Sequence, residues 1–344
     1  MIDKLQSIIS KVEAKGASFV EARYDELLLR SIMKENERVQ ECKVLKRAGI
    51  GFNVYYKGGT GYAFTADLNT KELERSALSA FGIAKTSASA TKIKSEVDSI
   101  KPITGIHLKP EIREPAWLIE LDERMDYLSR IENSAKEYGD NITSIMVGYG
   151  ELSGEKIFTN SEGTEIQWNP FILDMVCMIT SKTQAGDLVS AYEGKGGSIG
   201  VEEYKKKGST PEDIGKNAAL WAKEQLTAKA APAGKFRALC ENLLVGVLAH
   251  ESFGHLTEGD FIAAKTSPLH DKLGETLGSE HVSIIDEGIT TIDGKPSGLW
   301  LPYDDQGVKT TSTVLIEKGN LKGYLHSRST AKLLNMSPTG NARA

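Results

Sequence analysis

The stretch Phe19–Thr65, FVEARYDELLLRSIMKENERVQECKVLKRAGIGFNVYYKGGTGYAFT, decides the class of the fold. Its texture is that of strands: Phe19–Arg30, then Ser31–Val39, then Gly49–Tyr56. The Lys57-Gly58-Gly59 step reads as a hairpin turn into Thr60–Thr65. Before it, Leu5, Ile8, Ile9 and Val12 recur at helical spacing, an amphipathic helix that Gly16 ends. After it, a second helix of about Lys71 to Lys85 follows an Asn/Asp-rich cap. Helix plus antiparallel sheet, rather than a run of βαβ units, predicts an α+β fold.

Further along, TSASATKIKSEVDSIK (86–101) is rich in Ser, Thr, Ala and Lys and reads as an exposed linker. A long helix is expected over about Trp117 to Tyr138. Strands follow at Ile142–Gly148, Glu155–Phe158, Glu165–Trp168 and Phe171–Thr180, with Asn160-Ser161-Glu162-Gly163 as a turn. The glycine-rich run from Lys182 to Gly200 has neither a G-x-x-x-x-G-K-[ST] loop nor a G-x-G-x-x-G turn, which argues against nucleotide binding. Ser209-Thr210, ahead of a proline and two acids, opens a helix of about Pro211 to Lys229. Ala230–Gly234 marks a domain boundary. Two domains are therefore expected, an N-terminal α+β domain over 1–230 and a C-terminal domain over 231–344. Both should have curved, mainly antiparallel sheets flanked by helices.

The chain has 344 residues, 40 % of them hydrophobic, enough for a sizeable core. With 42 Lys+Arg against 47 Asp+Glu its net charge is −5, which gives no global reason to bind nucleic acid or an anionic membrane. Cys42, Cys177 and Cys240 are too few and scattered for a disulfide framework, and each is expected as a buried thiol. The N-terminus lacks signal-peptide features, and the densest apolar run, Leu243–Ala249, is far short of a membrane span. A soluble cytoplasmic protein of a reducing compartment is expected.

One constellation carries chemistry. In ALCENLLVGVLAHESFGHLTEGDF (238–261), Leu243, Leu244, Val247 and Leu248 give an apolar helical face, followed directly by His250, Glu251 and His255. Two neutral imidazoles with a carboxylate beside the first is the combination that a hydrolytic zinc site needs. The spacing is H-E-x-x-x-H, not H-E-x-x-H. In a regular α-helix a separation of five turns the second imidazole about 140° from the first. Gly254 would let the helix end or widen into a π-bulge that realigns the pair.

A site also needs a third protein ligand. Cys177 and Cys240 read as core cysteines. Glu258 and Asp260 could offer carboxylates but read as solvated. His270, His281 (opening a strand, HVSIID), His326 and His107 read as structural or without companions. The helix carrying the motif is expected to pack on the C-terminal sheet.

At these residues the chain resembles the TldD/PmbA family of zinc metallopeptidases, also called modulators of DNA gyrase. VLAHESFGHLTEGDF matches the TldD-type motif, including the tail Glu258-Gly259-Asp260. LPYDDQGVKTTSTVLIEKGNLKGYLHSRSTAKLL and TGNARA resemble its C-terminal region, and RAGIGFNVYYKGGTGYAFTADL and TNSEGTEIQW its N-terminal domain. The resemblance runs from about Val20 to Ala344. It implies His250 and His255 as Zn2+ ligands, Glu251 as catalytic base, and hydrolysis of peptides or unfolded small proteins that arrive as extended strands.

The metal motif places the chain on the TldD side, so a homodimer or a heterodimer with a PmbA/TldE-type partner is expected. The family's third ligand is a cysteine in a C-terminal segment, and none of the three cysteines lies in the matching place. The third ligand is thus expected beyond Ala344, with an incomplete, weakly zinc-retaining site as the consequence. Tyr303 and His326 lie in the region that could face an oxyanion but read as sheet residues. The alternative is a catalytically inactive partner or scaffold, against which the retention of Glu251 speaks. A DNA-topology role finds no basic stripe with interleaved aromatics to support direct DNA contact.

Overall fold

The computed structural model describes residues 1–91, 94–292 and 295–343. Its framework is α+β, with one eight-stranded sheet covered by two pairs of helices. Helix α1 (Ile2–Glu13) leads into β1 (Phe19–Glu35), β2 (Arg38–Tyr56) and β3 (Gly59–Thr65), and α2 (Thr70–Ala90) returns over them. After β4 (Ile106–Leu108) comes α3 (Leu121–Tyr138), then β5 (Ile142–Asn160), β6 (Glu165–Trp168), β7 (Phe171–Lys182), β8 (Leu188–Gly197) and α4 (Pro211–Gln225). The order β3-β2-β1-β5-β6-β4 branches at the long β5, whose first part pairs β7 while its end pairs β6. All ladders are antiparallel except β4 with β6.

Three strands are longer than the sequence suggests, β2 among them, which starts at Arg38 rather than Gly49. Phe19–Arg30 and Ser31–Val39 are not separate strands: β1 runs unbroken to Glu35. The turn after it is Asn36-Glu37, with φ of +47° and +68°. That two-residue turn lacks the glycine that would announce it. Tertiary bonds hold it instead, Ile145 N donating to Asn36 Oδ1 (2.9 Å) and Glu37 N to buried Glu132 (2.5 Å). Likewise Ile142–Gly148 and Glu155–Phe158 are parts of one strand, β5. Its glycines are there for close approach rather than for turning. A Cβ on Gly154 would lie 2.1 Å from the Glu26 carbonyl, and one on Gly150 would meet the Asp174 carboxylate.

The helices differ at their ends. Helix α2 continues to Ala90, through the first residues of the expected linker, because Ala80, Ala84 and Ala88 let its backbone settle on Gly59 and Gly61. A Cβ on either glycine would come within 2.2 Å of helix backbone. Lys92 and Ile93 of that linker lie outside the described residues. Trp117 and Leu118 form a separate 3-10 turn, Ala116–Leu118, ahead of α3. Helix α4 begins with a capping box, Thr210 and Asp213 bonding each other's backbone N–H, and stops at Gln225. The glycine-rich segment after Lys182 supplies β8.

Two apolar cores result. One joins Leu5, Ile8, Ile9 and Leu73 to Val20, Phe52 and Val54; the other joins Leu128, Ile131, Ile214 and Ala218 to Val147, Leu173, Met175 and Cys177. Cys177 is buried as expected, whereas Cys42 and Cys240 are exposed.

The C-terminal part contains α5 (Asn242–Ala249), α6 (Gly259–Ala263), β9 (Ile284–Glu287), β10 (Ile289–Ile292), β11 (Lys295–Trp300), β12 (Ser312–Glu317), β13 (Asn320–Leu321) and α7 (Arg328–Leu334). A small core of Ile262, Leu269, Ile316, Leu321 and Tyr324 holds it. It docks on the large sheet through Tyr303, which packs with Phe158, Ile166 and Trp168, and through the fully buried Arg328. That guanidinium donates to the Asp98 carbonyl (2.6 and 2.8 Å) and to Glu162 (2.6 Å), and lies over the Phe19 ring. No helix among the described residues is long and apolar enough to cross a membrane.

Candidate metal centre

Helix α5 is apolar on every side, and Leu243, Leu244, Val245, Val247 and Leu248 are all exposed. The expected packing of the motif helix on the C-terminal sheet is therefore not found for α5. Only its continuation touches the C-terminal core, through Phe253 and Leu256. A helix without a polar face has no single direction in which to bury itself, so apolarity alone did not fix its contacts.

At His250 the helix widens into a π turn over His250–Gly254, with the His255 N–H donating to the His250 carbonyl. A five-residue separation is about one turn of such a helix, so the two imidazoles come to the same side, edge to face. Their centroids are 4.4 Å apart. Of the two outcomes that the H-E-x-x-x-H spacing allows, a helix end or a π-bulge, the bulge is the one found. Gly254 keeps helical angles and does not end the helix. A methyl there would lie an ordinary 3.8 Å from His250 Nδ1, so space alone does not require glycine.

The ligand atoms of His250, Glu251 and His255 all lie within 4.8 Å of one another, and all three residues are exposed. His255 Nδ1–H donates to Glu258 Oε1 at 2.6 Å. That bond fixes the tautomer and turns Nε2 outward as a lone-pair donor, as a carboxylate behind a metal-binding histidine does. Glu258 thus serves behind the site, a role its position past the second histidine did not announce.

The motif's tail is anchored as well. Gly259 N donates to the Leu325 carbonyl (2.7 Å), and Leu325 N to that of Thr257 (2.9 Å). A Cβ on Gly259 would come 2.6 Å from His326 Nδ1 and 2.7 Å from the Leu325 carbonyl, so the middle residue of Glu258-Gly259-Asp260 has to be glycine.

Among the described residues no further histidine, cysteine or carboxylate joins the cluster. Cys177 belongs to the N-terminal core, and Cys240 stands exposed ahead of α5. Asp260 accepts from its own helix at Phe261 N. His270 pairs with Asp271 (2.9 Å) and His107 with Asn169 (2.7 Å), so His107 does have a companion. His281 lies in a turn three residues before β9 rather than opening the strand. His326 is buried, with Nδ1 3.2 Å from Thr330 Oγ1, and Tyr303 packs with aromatic residues at the domain contact. Burial pushes the His326 pKa down, keeping the ring neutral.

Comparison with known proteins gives this site its context. Family models described as PmbA/TldA metallopeptidase domain 1, central domain and C-terminal domain match residues 20–84, 114–226 and 233–344 in order. A metalloprotease of Methanocaldococcus jannaschii is 33 % identical over 327 residues, covering 91 % of this chain and 67 % of its own length. A metalloprotease of Methanothermobacter thermautotrophicus is 30 % identical over 342 residues, covering 99 % of this chain and 71 % of its own. A zinc metalloprotease TldD homologue of Saccharolobus solfataricus is 26 % identical over 343 residues, covering 98 % of this chain and 71 % of its own.

Among solved structures, TldE of Thermococcus kodakarensis superposes with a TM-score of 0.74 at 18 % identity, over 99 % of this chain and 73 % of that one. A candidate modulator of DNA gyrase from Bacteroides thetaiotaomicron superposes at 0.79 and 20 % identity, over 99 % of this chain and 75 % of that one. At those identities the likeness is one of fold. Matched in order by all three domain models, and 30 % or more identical to two archaeal metalloproteases along nine-tenths of its length, this chain belongs to the PmbA/TldD family of metallopeptidases.

Proposed function

We propose that the chain carries the metal-binding and proton-transferring part of a zinc-dependent peptidase, with His250 and His255 as ligands and Glu251 as catalytic base. The π turn is the observation that supports this most. It interrupts a regular helix at the one place where doing so brings two imidazoles and a carboxylate together. Two neutral nitrogens with a nearby oxygen suit zinc, and the Glu258 bond to His255 Nδ1 leaves Nε2 free to ligate. Zinc held there would supply polarisation of a scissile carbonyl and acidification of water to a pKa near 7. Glu251 is exposed and beside the first ligand, so its carboxylate can take the proton of an attacking water and hand it to the departing amine. Among the described residues no third protein ligand stands beside this set, and one supplied from elsewhere would complete the site.

The substrates in this reading are peptides or unfolded small proteins in extended form, which sheet edges can hold through main-chain hydrogen bonds with little sequence preference. The working assembly is a homodimer or a pair with a PmbA/TldE-type chain, in the cytoplasm. The fold shared with Thermococcus TldE supports such a partner.

The test is zinc content by mass spectrometry after dialysis at fixed free Zn2+, on the chain and on His250→Ala, His255→Ala and Glu251→Gln. The two alanine variants are expected to lose zinc. Glu251→Gln is expected to keep it while peptide hydrolysis falls by about 10²–10⁴-fold. Equal zinc in the chain and both alanine variants at a free Zn2+ that loads the chain, or unchanged hydrolysis by Glu251→Gln, would refute the assignment.

A further inference from the structure

Among the described residues, strand β2 is paired along its whole length on one side and along only part of it on the other. Strand β1 pairs Arg38 to Tyr55, but β3 reaches only from Ile50 to Tyr56. The direction of the open groups follows from register. The turn at Lys57-Gly58 is closed by Tyr56 opposite Gly59, so Tyr56, Val54, Phe52 and Ile50 turn their N–H and C=O toward β3. Alternation carries the same direction back to Ala48, Lys46, Val44 and Cys42, where β3 has ended. The other hairpin agrees. The register shift after Met33 leaves Gln40 as an extra residue, which turns the backbone groups of Glu41, Lys43, Leu45 and Arg47 toward β1. The open edge is long, and its side chains include exposed Val39, Val44 and Leu45, at 48 %, 65 % and 44 %. Such an edge invites another strand.

We propose that this edge pairs antiparallel with the same edge of a second copy of the chain, about a two-fold axis at Val44. This gives the homodimer of the preceding reading a specific interface, and rests on that reading only for the choice of a second copy. The charge pattern fixes the register, and at one register the edge is complementary to itself, which supports a second copy as its occupant. An axis at Glu41, Lys43, Lys46 or Arg47 would set a residue against its own charge. An axis at Leu45 would set Lys43 against Arg47 of the partner subunit, and one at Cys42 would set Arg38 against Lys46 of the partner subunit. With the axis at Val44, Glu41 faces Arg47 of the partner subunit twice over, Lys43 faces Leu45 of the partner subunit, and no like charges are opposed. Within each copy Lys43 is already paired with Glu41 (2.9 Å) and Lys46 with Glu26 (2.8 Å), so their charges are partly neutralised before the strands meet. Cys42, Val44 and Lys46 form three hydrogen-bonded pairs with the partner, about six bonds. The two eight-stranded sheets become one, and two open edges disappear.

The test is cysteine cross-linking in a Cys42→Ser, Cys240→Ser background. At the axis the two Val44 Cα atoms stand about 5.5 Å apart, within disulfide reach. Val44→Cys is expected to give a reducible covalent dimer under mild oxidant at least about tenfold faster than Leu188→Cys, an exposed position on β8. Sedimentation should show a dimer that Glu41→Lys weakens about tenfold and that the added change Arg47→Glu restores. A monomeric mass at about 100 μM, a Val44→Cys rate no faster than that of Leu188→Cys, or a Cys42 disulfide dimer in the unsubstituted chain would each overturn the proposal. A dimer that forms while Val44→Cys stays slow overturns this interface and leaves the homodimer standing.

Discussion

Helices α2 and α5 both present small and aliphatic residues, yet α2, which carries charges on its other side, is held at backbone distance from a strand while α5 meets solvent along its whole length. The difference lies in what each offers a neighbour. Helix α2 has one face, Leu73, Ala77, Ala80, Ala84, and β3 opposes it with two glycines. Its first turn is capped by the Asn69 side chain, which accepts from Glu72 N. Helix α5 has no side-chain cap and no polar face to set its orientation. Its one fixed feature is the end that becomes the π turn. Hydrophobicity thus locates a core only when it is confined to one side.

The largest expected contrast tests this directly. Leu73→Ala in α2 should cost about 2–5 kcal/mol in urea unfolding, since it empties a fully buried site. If that loss is under about 1 kcal/mol, the close fit of α2 on β3 is not what holds the layer.

Next in size is a pH effect in the C-terminal part. Burial pushes the Asp304 carboxyl up to about 6, against the opposing effect of bonds from the Val308, Ala342 and Gln306 N–H groups. Its folded pKa lies above its unfolded value near 3.8, so the folded state holds the proton between the two. The contribution to stability is present below pH 3.8 and is lost as pH rises through 6. Across that window wild type should lose on the order of 2–3 kcal/mol relative to Asp304→Asn. Parallel pH profiles of the two proteins would contradict it.

Smaller again, Glu258→Gln should weaken zinc binding about 10–100-fold with the fold intact, because it loosens the hold on His255. Unchanged affinity by calorimetric titration would mean that the π turn alone orients the ring. The smallest effect sharpens the opening contrast from the other side: Leu244→Ala in α5 should shift stability by no more than about 0.5 kcal/mol.

Much of this was legible in residue order. The α+β class follows from strand texture beside helical spacing, and a five-residue separation that no α-helix can reconcile with a shared ligand marks either a helix end or a π turn at the motif. What escaped reading was tertiary. Only Asn36 hints locally at the Asn36-Glu37 turn, and its further support comes from Ile145 and Glu132, more than ninety residues away. The glycines of β5 resemble breaks until the neighbouring strands are placed against them. Ser and Ala in the second half of α2 resemble a linker until Gly59 and Gly61 lie beneath. Glu258 resembles a solvated acid until the turn after His255 brings it back to Nδ1.

Arg328 carries a consequence for how the molecule comes apart. Its charge belongs to the C-terminal part, while its acceptors, Asp98 and Glu162, come from segments before that part begins. Were the C-terminal part to detach while the large sheet stayed folded, Glu162 would lose its cation, and were the sheet to melt first, a buried guanidinium would lose its partners. Both groups would meet water on opening, so what opposes detachment is the loss of these hydrogen bonds and of the packing around them. Opening from either side gives up the same set of bonds, so this one side chain couples the unfolding of the two regions.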